Sequence, residues 1–137
     1  MIVLDASVVL KWVLRDEEGA TRALELRERH LAGAETIAVP ELLFYEVGNA
    51  MVWSRRLSEE ESGASWEGLC SVALDVYSLR SQGMLRAMAL ARTAGLSVYD
   101  ATYVALAERL ECDMVTADAK LARKLDGHEI GCVVHAL

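Results

Sequence analysis

The sequence predicts one α/β domain in which a central, mainly parallel sheet lies between two layers of helices. The chain has 137 residues, 53% of them hydrophobic, which suffices for one core and is too little for two domains. Short apolar runs typical of buried strands alternate with longer segments whose apolar residues recur at helical spacing. Strands that alternate with helices pair in parallel, and the helices cover both faces. We therefore expect residues 1–137 to form a three-layer α/β/α sandwich.

Local signals support the individual elements. Pro40 is favoured in the first turn of a helix, and Ser58 with Glu61 forms a capping-box pair that begins another. Gly33 and Gly95 are typical of positions where helices end. The predicted order is strand 2–4, helix 8–13, helix 18–32, strand 36–39, helix 40–55, helix 58–72, helix 82–93, helix 99–110, strand 114–116, helix 119–125 and strand 132–135.

The charge balance limits how this protein can contact nucleic acid. Lys and Arg total 14 against 21 for Asp and Glu, which gives a net charge of −7. This sign is wrong for a surface that grips phosphates as a whole, so any contact with nucleic acid must be local. A basic protein segment or a divalent cation would neutralise the acidic residues.

Nothing in the sequence predicts a membrane segment or export. No apolar stretch approaches the roughly 20 residues of a membrane span. Asp5 interrupts the first apolar run, and no small-residue cleavage site of a secretory signal follows it. We therefore expect a cytoplasmic protein. Cys70, Cys112 and Cys132 are odd in number and widely spaced, which favours reduced, buried thiols over disulfides or a metal site.

Two acids follow predicted strands directly. Asp5 closes the first strand, and Asp118 lies two residues beyond the strand that ends at Thr116. Sites in open parallel sheets form outside the carboxyl ends of the strands. Asp is also a favoured helix N-cap, so a purely structural role stays open for both residues. Ser7 and Thr116 add hydroxyl groups that could orient a ligand or cap a helix.

Two further acids lie on predicted helices. The positions at three-, four- and seven-residue spacing from Glu46 are apolar, so we expect its carboxylate to point inward beside Asn49. Asp100 begins a helix whose apolar inner face is Tyr103, Val104 and Ala107, although an N-cap or helix-dipole role is open there too. Four carboxylates at one edge would repel one another unless they bound hard cations. The apolar neighbours of Glu46 are Leu42, Leu43, Ala50 and Trp53.

Three segments of the chain resemble the successive motifs of PIN-domain nucleases of the VapC toxin type. They are IVLDASVVLKW, VPELLFYEVGNAM and SVYDATYVALAERLECDMVTADAKLARKL. The resemblance extends from Ile2 to about Val134 and is strongest from Ser97 to Leu125. It assigns the acidic quartet to Asp5, Glu46, Asp100 and Asp118, and the auxiliary polar positions to Ser7, Asn49 and Thr116.

The resemblance implies a PIN-like fold and Mg²⁺-dependent or Mn²⁺-dependent hydrolysis of RNA by the toxin of a type II toxin–antitoxin pair. It also implies a homodimer and a cognate antitoxin whose basic tail enters the acidic groove. The apolar residues from Ala50 to Trp53 could accept hydrophobic side chains of that antitoxin. Phosphate contacts could come from basic residues that follow the motifs, although solvated surface charge is the alternative for each; these are Lys11, Arg15, Arg55, Arg56, Lys120 and Arg123.

Two alternatives stay open from the sequence. A receiver-like phospho-acceptor module has a similar size and binds Mg²⁺ through acids at strand ends, but it needs an acceptor Asp at the end of a middle strand. Here Glu46 and Asp100 are predicted on helices instead. A PIN fold that serves only as an interaction scaffold is the other alternative, and the intact acidic quartet disfavours it.

Overall fold

The computed structural model describes residues 1–14 and 18–137, and within them it contains five strands and seven helices. In chain order these are β1 (Ile2–Leu4), α1 (Ala6–Val13), α2 (Ala20–Leu31), β2 (Ile37–Pro40), α3 (Leu42–Trp53), α4 (Glu59–Ser71), β3 (Asp75–Tyr77), α5 (Ser81–Ala94), α6 (Val98–Arg109), β4 (Asp113–Thr116), α7 (Ala119–Leu125) and β5 (Val134–Ala136).

The five strands form one sheet in the order β3-β2-β1-β4-β5, and every neighbouring pair is parallel. Ile2 of the central strand pairs with Ile37 on one side and with Asp113 on the other. The chain moves from β1 outward to β3, crosses back to β4, and then continues outward to β5. With right-handed crossovers, the helices before and after this reversal cover opposite faces. The predicted α/β/α architecture is confirmed.

Among the described helices α6 has the longest buried stretch, with residues 101–107 all buried. It contacts β1, β2 and β4 on one side and packs along α5 on the other. Glu108 near its end accepts bonds of 2.7 Å from the Arg86 Nε and Nη2 atoms of α5 and from the Gly131 N–H. These charge-assisted bonds fix α6 relative to α5 and to the loop before β5.

Most helix boundaries follow the local signals. The capping box is present: Glu61 N–H donates to the Ser58 hydroxyl, and Ser58 N–H donates to the Glu61 carboxylate. Gly95 ends α5 with a φ of 64°, a left-handed conformation that glycine adopts without steric cost. Helix α7 has the predicted limits of Ala119 and Leu125.

Other predicted elements were wrong. Pro40 ends β2 instead of beginning a helix, because its extended backbone pairs with Tyr77 of β3. Strand β3 was not predicted at all, since it is a short edge strand with two exposed residues and no apolar run. Asp118 therefore follows the fourth strand of the chain, and that strand begins at Asp113, one residue before its predicted start at 114.

The cysteine prediction holds in part. All three thiols are free, and Cys112 and Cys132 are partly buried. Cys70 is exposed on the outer face of α4, so the expectation of a buried thiol was wrong there. Within the described ranges, no helix is both long enough and apolar enough to cross a bilayer.

Candidate active site

The candidate site lies where β1 and β4 end side by side in the middle of the sheet. Asp5 follows β1 directly, and Thr116 is the last residue of β4. Ser7, in the first turn of helix α1, lies at the same edge of the sheet, and Asp118 lies between β4 and α7. Because β1 and β4 are parallel neighbours, residues that are more than a hundred positions apart meet at one edge.

Asp5 is 5% exposed and is held by hydrogen bonds on both carboxylate oxygens. Its Oδ1 accepts from the Ser7 hydroxyl at 2.5 Å and from the Val8 N–H at 3.2 Å, while its Oδ2 accepts from the Thr116 hydroxyl at 2.5 Å. The Ser7 oxygen in turn accepts the Ala117 N–H at 2.8 Å. Burial raises the pKa of Asp5, and the bonds from Ser7 and Thr116 oppose that rise. Asp5 therefore caps α1 and also belongs to a hydroxyl network that joins two strands.

Asp118 is the N-cap of α7. Its Oδ1 accepts from the backbone N–H groups of Lys120 at 2.8 Å and Leu121 at 3.1 Å. Its own N–H donates to the Thr116 hydroxyl oxygen at 3.0 Å, which links it to the Asp5 network. The carboxylate is exposed. Both cap bonds engage one oxygen, so the capping role leaves Oδ2 available to a ligand.

Glu46 on α3 is half-buried and accepts a hydrogen bond from the Tyr103 hydroxyl. Burial raises the pKa of Glu46, and the negative charges of Asp100 and Asp5 raise it further, while the Tyr103 bond opposes these effects. The inward direction of Glu46 is thus confirmed, and the charges of three of the four acids act at one place.

The apolar face of α3 differs from the predicted one. Its buried stripe runs through Leu43, Val47 and Met51 at four-residue spacing. Trp53 is 78% exposed, because it lies at the end of the helix and beyond that stripe. Asn49 is also exposed, so it does not extend a buried polar spot beside Glu46 as the sequence suggested.

Asp100 lies in the first turn of α6 without being its cap. Ser97 is the N-cap: its hydroxyl accepts from the Asp100 N–H at 3.0 Å and donates to Asp100 Oδ2 at 2.8 Å. The alternative N-cap role for Asp100 was therefore wrong. Helix α6 instead presents a carboxylate that Ser97 orients, close enough for its charge to act on Glu46.

The sequence analysis missed two residues of this site. Ser97 is a conventional cap signal three residues before Asp100, so it could have been found. Tyr103 was assigned only to the inner face of its helix, yet its hydroxyl contacts Glu46, which lies 57 positions away. The available signal was a tyrosine at a buried position one turn after an acid, since a buried phenol usually has a partner.

The donor set fits a hard cation with incomplete protein ligation. Among the residues that the structure describes, no three His, Cys, Asp or Glu side chains converge into a ready-made metal cage. Asp118 is linked to Asp5 through the Thr116 hydroxyl, and the charges of Asp100 and Asp5 act on Glu46. Mg²⁺ is typically bound through one or two carboxylates, with water and substrate phosphates completing its shell. Oxygen donors whose pKa is raised by burial and by like charge suit such an ion.

Comparison with known proteins places this chain in a family. The family model described as "PIN domain" matches residues 2–126. A VapC ribonuclease of Mycobacterium bovis is 35% identical over 126 residues, which cover 89% of each chain. Ribonuclease VapC3 of Pyrobaculum aerophilum is 36% identical over 129 residues, covering 90% of this chain and 93% of the relative.

Solved structures share the fold at lower identity. VapBC2 from Rickettsia felis, described as bound to a DNA fragment from its promoter, has a TM-score of 0.71 and 17% identity, covering 100% of this chain and 99% of that one. A toxin–antitoxin complex from Klebsiella pneumoniae has a TM-score of 0.67 and 18% identity, covering 97% and 96%. With the strand-end acids in place and curated relatives matched over most of its length, the chain belongs to the PIN-domain family, among relatives named VapC ribonucleases.

Proposed function

We propose that this protein is a metal-dependent endoribonuclease that hydrolyses RNA phosphodiester bonds in the cytoplasm as the toxin of a toxin–antitoxin pair. The observation that carries the proposal is the buried Asp5 carboxylate at the end of the central strand. It is held by two hydroxyls, and its charge acts on Glu46 together with that of Asp100. Relatives about 35% identical over most of the chain are named ribonucleases, which supports hydrolysis of RNA as the reaction.

Asp5, Glu46, Asp100 and Asp118 would hold Mg²⁺, or Mn²⁺ in its place, directly or through water. When bound, the cation supplies positive charge that offsets the negative charge of the phosphate. This favours attack of water on the phosphate. The chain contributes orientation, because the hydroxyls of Ser7 and Thr116 fix both oxygens of Asp5.

Polar and basic side chains outside the acids are proposed to contact RNA. Asn49 presents an exposed amide one turn after Glu46 on α3. Lys120 and Arg123 are exposed on α7, the helix that Asp118 begins, so they could bind phosphates beside the acids. Arg15, which was also expected to contact phosphate, lies outside the described residues.

The receiver-like alternative is not favoured. A receiver domain has the strand order 2-1-3-4-5, whereas this sheet has the order β3-β2-β1-β4-β5. Glu46 and Asp100 lie on helices α3 and α6, as the sequence predicted.

Metal dependence gives the direct test of the proposed reaction. We expect purified protein to cleave end-labelled RNA in Mg²⁺ or Mn²⁺ and to stop in excess EDTA, because the carboxylates alone provide no positive charge for the phosphate. Adding Mg²⁺ in excess over EDTA should restore cleavage, which controls for damage by the chelator. Undiminished cleavage in EDTA would refute the metal assignment. A folded protein that cleaves no RNA under any of these conditions would favour the interaction scaffold.

We propose a cognate antitoxin with a basic tail as the partner. Neighbours in the fold comparison are described as toxin–antitoxin complexes, and this chain has a net charge of −7. Arg or Lys side chains of a tail would neutralise the acids of the site and occupy the place of the cation. Such a tail would inhibit the enzyme and bind it through the same charges.

We also propose a homodimer formed through the outer face of α3. Tyr45 and Val52 are seven positions apart on one side of this helix, and they are 78% and 73% exposed. Together with Trp53 they expose large apolar side chains, which is a feature of protein interfaces. The two copies would bury these side chains against each other.

A charged side chain introduced on the outer face of α3 should dissociate the dimer. We expect wild type to sediment as a dimer at micromolar concentration and Val52→Asp to sediment as a monomer, because a carboxylate buried in an apolar interface is costly. Leu31→Asp, which changes an exposed leucine of α2, is the matched control and should leave the dimer intact. A monomeric wild type would contradict the dimer and leave α3 free for antitoxin side chains.

A further inference from the structure

The buried tyrosine of α6 contacts the acid carried by helix α3. Tyr103 is 2% exposed, so its ring belongs to the core of the domain. Its hydroxyl donates to Glu46 Oε2 on α3. Asp100 lies one turn earlier on the same helix as Tyr103. The Tyr103 hydroxyl therefore connects helix α3 to helix α6.

The hydrogen-bond pattern around this oxygen has a defined direction. A carboxylate can only accept, so the Tyr103 phenol is the donor in this bond. The donor that Glu46 receives is thus a neutral, fixed O–H group from a rigid helix.

Glu46 depends on this donor more than an exposed acid would. Its carboxylate is half-buried, and the charges of Asp5 and Asp100 act against its ionised form. Asp5 receives two hydroxyl donors and Asp100 receives one from Ser97. The Tyr103 hydroxyl gives Glu46 the equivalent support while it engages Oε2 and takes no part at Oε1.

We propose that Tyr103 is a positioning residue of the site, whose hydroxyl holds Glu46 in the orientation in which its carboxylate binds the cation. This inference rests on the proposed metal-dependent function. Partners of metal ligands act by fixing the ligand, and their loss typically weakens metal affinity about 10-fold to 100-fold. Tyr103 does not touch the reacting atoms, so its effect passes through Glu46.

The test measures Mn²⁺ binding without relying on activity. Free Mn²⁺ is followed by its electron paramagnetic resonance signal during titration of wild type, Tyr103→Phe and Tyr77→Phe. We expect Tyr103→Phe to weaken binding about 10-fold or more, since it removes one oxygen and keeps the ring. Tyr77→Phe is the matched control, because Tyr77 lies on edge strand β3 with its ring against Arg109, and it should bind as wild type does. Circular dichroism checks that each variant is folded at the temperature of the titration.

A double mutant distinguishes the positioning of Glu46 by Tyr103 from a general effect of Tyr103 on packing. In Glu46→Gln, whose own affinity is expected to be lower, adding Tyr103→Phe should cause little further loss, because the two residues act as one unit. Equal losses in both backgrounds, or Tyr103→Phe binding Mn²⁺ as tightly as wild type, would overturn the role of Tyr103 alone. A wild-type protein that binds no Mn²⁺ would overturn the metal site and this inference together.

Discussion

Asp118→Asn should abolish most RNA cleavage and leave the fold intact. Asn caps a helix about as well as Asp, and its Oδ1 can still accept the N–H groups of Lys120 and Leu121. What the substitution removes is the negative charge and the second carboxylate oxygen that a cation would use. We expect the initial rate on a labelled RNA in Mg²⁺ to fall on the order of 100-fold or more, because ligand charge is central to metal-assisted hydrolysis.

The control lies at the other end of the same helix. Asp126 is exposed at the carboxyl end of α7, so Asp126→Asn makes the same chemical change away from the proposed site. It should cleave RNA as wild type does, and thermal melts should show both variants folded. If Asp118→Asn keeps near-wild-type turnover, Asp118 is a cap and not a ligand.

The same pair of variants addresses the toxin role in cells. Wild type and Asp126→Asn expressed without an antitoxin should arrest growth of a bacterial host, whereas Asp118→Asn should not. Harmless expression of a wild-type protein that cleaves RNA in vitro would count against the toxin role and leave the nuclease activity standing.

The parts of the site that the sequence predicted are those with local signals. Asp5 follows an apolar run directly, and Asp118 follows the strand that ends at Thr116, so the parallel arrangement alone brings them together. The hydroxyls of Ser7 and Thr116 lie within two residues of these acids in the sequence. Their positions beside the two acids were therefore predicted, whereas the bond from Thr116 to Asp5 joins residues 111 positions apart and was not.

The parts that were missed depend on contacts between distant segments. Strand β3 exists because its backbone pairs with β2, and neither its composition nor its burial indicates a strand. The Tyr103 hydroxyl meets Glu46 only because α3 and α6 approach each other in the fold. The inner face of α3 was misjudged at Trp53, since a helical repeat does not show where the neighbouring core ends.

The stability of the metal-free protein should report the repulsion at the site, and Glu46 is the position where this can be measured most cleanly. We expect Glu46→Gln to melt higher than wild type in EDTA at pH 7.5 and to gain less from Mg²⁺. Gln can still accept the Tyr103 hydroxyl, and it carries no charge to oppose Asp100 and Asp5. Asp5→Asn would be harder to interpret, because its amide would face a Thr116 hydroxyl that already donates.

The raised pKa of Glu46 determines how the stability difference between wild type and Glu46→Gln changes with pH. The folded-state pKa of Glu46 lies above its unfolded value, so the folded protein holds this proton more tightly than the unfolded chain. Stability from this group is therefore present at low pH and is lost as pH rises through the raised pKa. Glutamine does not titrate, so the advantage of Glu46→Gln in EDTA should be seen at pH 7.5 and shrink as the pH is lowered towards 4.

Mg²⁺ should reverse the order of the two proteins. An ion that binds only the folded state stabilises it by about 2.7 kcal/mol at a hundred times its dissociation constant, which corresponds to a shift on the order of 10 °C for a chain of this size. Wild type, with all four acids, should approach this gain, and Glu46→Gln should fall short of it. The experiment is four thermal melts, each protein in EDTA and in millimolar Mg²⁺. If Glu46→Gln melts far below wild type in EDTA and neither protein responds to Mg²⁺, then Glu46 is a structural acceptor for Tyr103, and a shared metal site at these four acids is wrong.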